Sequence, residues 1–394
     1  MDLSTNYCGI PLETPFILAS APPTASLDLI RRGFEAGWSG AVVKTLLFDP
    51  VHNLQNRFSV LKQKGNIIGF ENLEQLSAKP PEDWYKIIAT LKREFPTKVV
   101  IGSIMGDAQS PQQWLELARG CQDAGADLLE LNFSCPHGYP EQGRGSAIGQ
   151  NPDYAAQITR WLKECSDIHL PVVPKLTAAV ADIRHMGCML ADAGADGFCA
   201  INTLPSFFGF DLKTLRPKPD IDGMTSYGGY SGVGIKPIAL RAVSELCQAP
   251  GLPIMASGGI ATGFDAAEFL LLGAPAVQVC TEVMLRGFGV VTKMQQQLEE
   301  FMGWHSFSTT SDFIGLCKEQ VTSFGGLHIN FKAKPTLNEL RCTNCGSCIT
   351  ACRDGGFQAI APSQSGPIFL MDACDGCSLC SHVCPTGAIQ MQSV

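Results

Sequence analysis

Leu128-Leu129-Glu130-Leu131-Asn132-Phe133-Ser134-Cys135-Pro136-His137-Gly138, running on through Tyr139-Pro140-Glu141-Gln142-Gly143-Arg144 to Gly145, decides how the rest of the chain is read. Its first half is a short apolar strand led in by Ala124-Gly125, and its second half is a polar, glycine-rich loop punctuated by Pro136 and Gly138. A buried parallel strand that breaks into such a loop is what an α/β barrel presents at its active face, where the last strand residue and the first loop residues point at substrate. Asn132 ends the strand, and Cys135 and His137 follow at once, so Cys135 is a candidate acid or base with His137 beside it. The Gly138–Gly145 loop reads as a lid that closes over Cys135 and excludes water.

Outward from that stretch, apolar runs alternate with helical patterns up to about residue 302. The runs are Phe16–Ala19, Ala41–Lys44, Val99–Ser103, Leu128–Asn132, Pro171–Lys175, Gly197–Asn202, Pro253–Ser257 and Ala276–Cys280. Helical patterns fall between them, for example Gln112–Ala124, Asp153–Cys165, Ile183–Ala193 and Pro237–Cys247, several closing on a glycine just before the next strand. Eight such units predict a (β/α)8 barrel over residues 1–305, with a doubly wound open sheet as the alternative. Polar residues sit at or just past successive strand ends: Ser20, Lys44, Asn132, Lys175, Asn202-Thr203, Gly258-Gly259 and Thr281. Their shared end marks one site.

Ser257-Gly258-Gly259 lies between the seventh strand and a helix, and Gly228-Gly229-Tyr230-Ser231-Gly232 precedes another helix. Glycine lets backbone N–H groups approach a phosphate closely, and a helix N-terminus favours the anion. Barrel enzymes commonly hold phosphate on the loops after strands seven and eight. No Gly-x-Gly-x-x-Gly opens a helix after a strand with an acidic residue downstream, so a Rossmann dinucleotide site is not expected.

The chain has 394 residues, enough for a barrel and an appendage. A net charge of −8 with no basic run argues against a nucleic-acid partner. Met1–Asn6 lacks a basic, apolar leader pattern and no apolar run approaches 20 residues, so the expectation is a cytoplasmic protein without a membrane span.

Of the 17 cysteines, eight fall between Cys342 and Cys384, in two runs. Cys342-x2-Cys345-x2-Cys348-x3-Cys352 is followed by Cys374-x2-Cys377-x2-Cys380-x3-Cys384-Pro385. This is the bacterial two-cluster ferredoxin spacing, in which the fourth cysteine of each run serves the other cluster. One 4Fe–4S centre then takes Cys342, Cys345, Cys348 and Cys384, and the other takes Cys374, Cys377, Cys380 and Cys352. Zinc sites rarely repeat four cysteines at this spacing. Residues 336–394 are expected to form a small ferredoxin-like α+β domain, joined to the barrel by a linker over 306–335.

Asn132–Pro136, Lys44-Thr45, Lys175-Leu176-Thr177, Asn202-Thr203, Tyr230-Ser231-Gly232 and Ser257-Gly258-Gly259 resemble the FMN barrel of the dihydroorotate dehydrogenase superfamily. The resemblance implies flavin contacts from Ala19, Ser20, Lys44, Thr45, Asn132, Lys175, Asn202, Ser231, Gly232, Ser257, Gly258, Gly259, Cys280 and Thr281, with Lys175 facing the N1–C2=O edge. Two features differ from the orotate enzymes: Cys135-Pro136-His137, and Glu74 on a loop Asn66–Glu74. A carboxylate there would repel orotate's own and suit a neutral ring with N–H donors. Asn72-Leu73-Glu74, Cys-Pro-His and Ile201-Asn202-Thr203 are similar to the dihydropyrimidine dehydrogenase family, which implies uracil or thymine held by Asn72, Glu74, Asn132, Asn202 and Thr203 with Cys135 as acid and base. The family also implies a separate FAD- and NAD(P)H-binding electron-transfer subunit, and a homodimer or a heterotetramer with that subunit. Two alternatives stay open: a dihydroorotate dehydrogenase or an ene-reductase of another cyclic substrate, and an electron-transfer protein with no substrate of its own.

Overall fold

The computed structural model describes residues 1–49, 51–136 and 143–394. It divides into two compact units, Met1–Val321 and Thr322–Val394.

The first unit is a closed eight-stranded parallel barrel. Its strands are β1 (Phe16–Leu18), β2 (Gly40–Val42), β3 (Val99–Ile104), β4 (Leu128–Asn132), β5 (Val172–Leu176), β6 (Phe198–Ala200), β7 (Ile254–Ser257) and β8 (Ala276–Val279). Each pairs with the next, and β8 returns to β1 through Val277 and Phe16. The helices are α1 (Leu27–Glu35), α2 (Pro81–Glu94), α3 (Pro111–Asp123), α4 (Pro152–Lys163), α5 (Ile183–Asp192), α6 (Lys236–Gln248), α7 (Gly263–Leu271) and α8 (Val290–His305), one after each strand. The open doubly wound sheet is thereby set aside.

Local chemistry starts these helices where the sequence allows. The Ser26 and Asp182 side chains accept from backbone N–H groups at the starts of α1 and α5, Thr262 and Asp265 form a capping box on α7, and proline opens α2, α3 and α4.

Strand residues alternate between the helix layer and the barrel axis. Phe16, Leu18, Val100, Leu129 and Phe198 pack outward in the main core, whereas Ile17, Val42, Ile101, Leu128, Val173, Cys199, Met255 and Ala276 meet inside. A hairpin of Thr5–Tyr7 with Ile10–Leu12 adds Tyr7 and Leu12 to this inner cluster, and the Tyr7 hydroxyl donates to the Phe198 carbonyl at 2.8 Å.

Two stretches read as loops are strands. Asn66–Asn72 and Gly228–Ser231 lie side by side in an antiparallel sheet completed by Phe58–Gln63 and Leu204–Ser206. Their glycines hid them: Gly69 exists because a Cβ there would sit 2.5 Å from the Tyr230 ring.

The expected linker over 306–335 is also redrawn. Residues up to Val321 pack on the barrel unit, with Gly315 and Cys317 N–H groups bonded to Leu270 and Leu271 carbonyls and Phe313 fully buried. Apolar residues Phe307 and Phe313 find partners in α8, which a composition-based reading of a short segment does not reveal.

The second unit pairs Ala333–Leu337 with Ile389–Ser393 and Ile360–Ala361 with Ile368–Phe369, and holds helices at Ser347–Asp354 and Leu379–His382. Strand Ala333–Leu337 therefore takes the end of the expected linker into this unit. Its small core is Cys348, Ile360, Cys380 and Ile389.

The Phe313 ring lies 5.2 Å from Phe301 and 5.4 Å from Phe307, centroid to centroid. Phe313→Ala should cost the barrel about 3–5 kcal/mol by urea unfolding; a change near zero would mean that 306–321 is a detached tether.

Candidate active site

Above the apolar floor the barrel interior turns polar. Ser103, Glu130, Lys175 and Gln278 stand one step further along β3, β4, β5 and β8 than Ile101, Leu128, Val173 and Ala276, and all four are buried. Period two forces this: Leu128, Glu130 and Asn132 share one side of β4.

At the strand ends a chain of hydrogen bonds crosses the mouth. The Asn132 Nδ2 donates to Thr45 Oγ1 at 3.0 Å, and Thr45 Oγ1 meets Ser103 Oγ at 2.8 Å and Ser20 Oγ at 3.2 Å. The Asn132 Oδ1 accepts from the backbone N–H groups of Ser134 and Cys135 at 3.2 and 3.1 Å. The Ser134 hydroxyl accepts from Asn202 Nδ2 at 2.9 Å, and Asn202 Oδ1 accepts the Thr203 N–H at 2.7 Å. Cys135, 5% exposed, is thereby fixed by the backbone on both sides. Its carbonyl accepts the Ser146 N–H at 3.0 Å, and Gly145 at φ +57° passes so close that a Cβ would fall 2.6 Å from that carbonyl oxygen. His137 and most of the expected lid lie outside the described residues.

Lys44 and Glu74 form a nearly buried ion pair at 2.6 Å, with side chains 6% and 10% exposed, and Arg57 binds the other Glu74 oxygen. Burial pulls Lys44 below the ordinary lysine value, and Glu74 pushes back. Glu74 is thus no lone carboxylate: two cations share it, which removes simple charge repulsion as its means of refusing an anionic ring. Asn72 Nδ2 donates to the Gly229 carbonyl at 3.1 Å and its Oδ1 accepts the Glu74 N–H at 3.2 Å, which aims Glu74 at the mouth. Burial lowers Lys175, but the Glu130 carboxylate at 3.4 Å reverses this and holds its ammonium above the ordinary value.

On the far side Thr281 Oγ1 donates to Ser231 Oγ at 2.9 Å. Gly259, at φ +77°, lies so near the start of α6 that a Cβ would meet Lys236 backbone at 2.6 Å. Backbone from two glycine turns and the N-terminus of a 13-residue helix thus converge there.

One hollow gathers these parts. Ala19, Ser20, Lys44, Thr45, Asn72, Glu74, Asn132, Cys135, Lys175, Asn202, Thr203, Ser231, Gly232, Ser257, Gly258, Gly259, Cys280 and Thr281 all line it. With about 1230 Å³ of free space, open solvent included, it admits a ligand larger than a pyrimidine. In the second unit, one hollow is lined by Cys342, Cys345, Cys348 and Cys384, and another by Cys352, Cys374, Cys377 and Cys380. The fourth cysteine of each run has crossed to the other group. Among the described residues no three His, Cys, Asp or Glu converge on a point suited to one metal ion; the sulfurs ring a space instead.

Residues 3–302 match the family model described as dihydroorotate dehydrogenase, and residues 336–391 match a 4Fe-4S dicluster domain. The chain belongs to the dihydroorotate dehydrogenase family. Over its whole length it is 37% identical to the NAD-dependent dihydropyrimidine dehydrogenase subunit PreA of Escherichia coli (strain K12), covering 96% of that protein. It is 36% identical over 80% of its length to the chloroplastic dihydropyrimidine dehydrogenase (NADP(+)) of Arabidopsis thaliana, covering 76% of it. It is also 36% identical over 80% of its length to the catalytic subunit of dihydroorotate dehydrogenase B (NAD(+)) of Pyrococcus abyssi, covering 98% of it. A crystal structure of DHODH from Eimeria tenella, in complex with ferulenol, shares the fold at a TM-score of 0.65 and 20% identity, over 80% of this chain and 88% of that one. Among the described residues no helix is long and apolar enough to cross a membrane.

Ser103, Ser134, Arg57, Glu130 and Gln278 were not among the site residues expected from the sequence. Glu130 carried a signal, a charge inside an otherwise apolar strand; Arg57 carried none, because only the folded sheet brings it to Glu74.

Glu74→Gln should destabilise the fold by about 3 kcal/mol at about pH 7, since Lys44 stays buried without its counter-charge. A buried lysine with a lowered value binds fewer protons folded than unfolded, so stability rises with pH between that value and the ordinary one. The mutant's deficit in urea unfolding should therefore shrink by about pH 9.5; a deficit independent of pH would deny the pairing.

Proposed function

We propose that the chain is the catalytic part of a dihydropyrimidine dehydrogenase, reducing the C5–C6 double bond of uracil or thymine to the 5,6-dihydropyrimidine and running in reverse when conditions favour it. The observation that carries this reading is the meeting of Asn72, Glu74, Asn132, Cys135, Asn202 and Thr203 around one hollow, in a chain similar to PreA from end to end. Three carboxamides, a hydroxyl and a carboxylate offer both donors and acceptors, which matches the alternating N–H and C=O groups of a pyrimidine ring.

The hollow fits FMN: Lys44 and Lys175 both line it, and the turns of Ser231-Gly232 and Ser257-Gly258-Gly259, where a Cβ at Gly259 would strike α6, leave backbone open to a phosphate. The two rings of cysteines fit two 4Fe–4S clusters, with Cys352 and Cys384 exchanged between runs. When bound, FMN supplies two-electron chemistry at the double bond and the clusters supply one-electron steps to it from a donor.

The protein's own residues do the rest. Lys175 lines the hollow and would favour negative charge on the flavin's pyrimidine edge when the cofactor is bound. Ser20, Thr45 and Asn132 hold the mouth in shape, and Asn202 is oriented by Ser134 so that its position does not drift. Cys135 Sγ delivers the proton that ends on C5 of the ring, and takes it back in the reverse direction; a thiol, with an ordinary value near 8.5, can do both. Its backbone anchors, from Asn132 and to Ser146, keep that sulfur at one place. Electrons come from a separate FAD- and NAD(P)H-binding subunit, in keeping with the E. coli relative's being called a subunit. The assembly is a homodimer or a heterotetramer with that partner. Met1–Val321 forms the catalytic part and Thr322–Val394 the electron entry.

Reduced anaerobically, the protein should be reoxidised rapidly by uracil or thymine and not by orotate, followed by flavin absorbance. Cys135→Ala should slow that step by about 10²–10⁴-fold. Reoxidation by orotate alone would return the chain to dihydroorotate chemistry. Cys384→Ala should roughly halve iron per flavin while leaving FMN in place; full iron content would break the crossed ligand assignment.

A further inference from the structure

Glu130 is 1% exposed, does not line the hollow, and sits in the polar layer directly beneath it. Its two oxygens are divided: Oε2 accepts Gln278 Nε2 at 2.6 Å, and Oε1 faces Lys175 Nζ at 3.4 Å. Gln278 completes the triangle by accepting from Lys175 Nζ at 2.7 Å. The carboxylate fixes which way the Gln278 amide points: with its NH2 drawn to an acceptor-only group, its carbonyl must face the lysine. Lys175 thus spends two of its three donors downward and keeps one for the hollow it lines.

A buried carboxylate is expensive, and barrel interiors are ordinarily filled with branched apolar chains. Three strands have nonetheless placed Glu130, Lys175 and Gln278 together under the mouth. We propose that Glu130 is a positioning residue for the flavin: it holds Lys175 charged and aimed at the ring edge, and its own negative charge moderates the field that Lys175 exerts there.

This rests on the flavin reading of the hollow. Besides Glu130 on β4, the titratable groups facing Lys175 are Cys199 on β6 and Cys280 after β8. Burial raises Cys199 well above its ordinary value and pushes Cys280 up to about 11, so both are neutral thiols at physiological pH. Tyr7, below Glu130, is neutral for the same reason. Lys44 lies beyond Cys280. Glu130 therefore supplies the counter-charge. Without it, burial acts on Lys175 alone and draws its value down, so the ammonium loses its proton as the solution becomes alkaline.

The test compares wild type with Glu130→Gln, each loaded with FMN, by midpoint potential and by FMN fluorescence titration from about pH 7 to about pH 9.5. At the lower pH the variant's potential should lie above wild type, because one negative charge beneath the ring is gone. As pH rises its potential should fall back toward that of wild type at the same pH, and its FMN dissociation constant should climb by about tenfold while that of wild type changes little. The double variant with Lys175→Met should lose this pH break. Matching potentials and affinities at every pH, with lowered thermal stability alone, would overturn the proposal and leave Glu130 a packing residue. Should Glu130→Gln fail to fold, a lysine-type break in the wild-type profile over the same range would overturn it, and its absence would support it. Failure of wild type to bind FMN at all would overturn the flavin reading, and this one with it.

Discussion

The Asn132 carboxamide is held on three sides, by the Thr45 hydroxyl and by the N–H groups of Ser134 and Cys135, and the site depends on that arrangement. One side chain joins the end of β2 to the first residues after β4. Through Thr45 the same hold reaches Ser20 and Ser103, and through Ser134 it reaches Asn202 beyond β6. Five of the eight strand ends are thereby tied by side chains as well as by the ladder. A fixed Cys135 follows, because its nitrogen and its carbonyl are both occupied before any ligand arrives. Preorganisation of this kind matters most where a proton must meet one carbon and no other.

The barrel could be read because period two and helix punctuation are local: each strand, each capping residue and each closing glycine lies within a few positions of the feature it specifies. All eight strands overlap the apolar runs, three of them passing the expected bounds by one residue at Gly40, Ile104 and Leu176, and the cysteines line two hollows in the crossed grouping that their spacing suggested. The sheet of Phe58–Gln63, Asn66–Asn72, Leu204–Ser206 and Gly228–Ser231 was not legible, since its first two strands lie far along the chain from its last two and the two central strands carry glycine. Gly69 and Gly228 look like turn residues until the Tyr230 ring and the Glu71 side chain are seen to need their space. Residues 306–321 failed for a related reason: short, irregular backbone becomes part of a core only through distant partners.

The residues that line the hollow were legible wherever strand ends could be counted, and their charge pairings were not. Glu74 in sequence is an isolated acid; in the fold it stands between Lys44 and Arg57. Lys175 in sequence is an isolated base; in the fold it stands over Glu130. Pairing is a property of side chains from different strands, and no spacing rule within one segment reports it.

The two lysines also differ in a way that suits their places. Lys44 is depressed by burial despite Glu74, and that carboxylate is partly claimed by Arg57. Lys175 is just as enclosed, yet it is raised, with Glu130 serving no second cation and Gln278 holding both partners in register. A shared carboxylate supports its lysine less than an undivided one. The mouth therefore carries one lysine firmly charged and one closer to giving up its proton. Because Arg57 balances Glu74, selection between a neutral pyrimidine and an anionic one cannot rest on a bare negative charge. On the proposed reading it falls to the acceptor lone pairs Glu74 still presents once two cations have taken their share, and to the carboxamides of Asn72, Asn132 and Asn202 that line the same hollow.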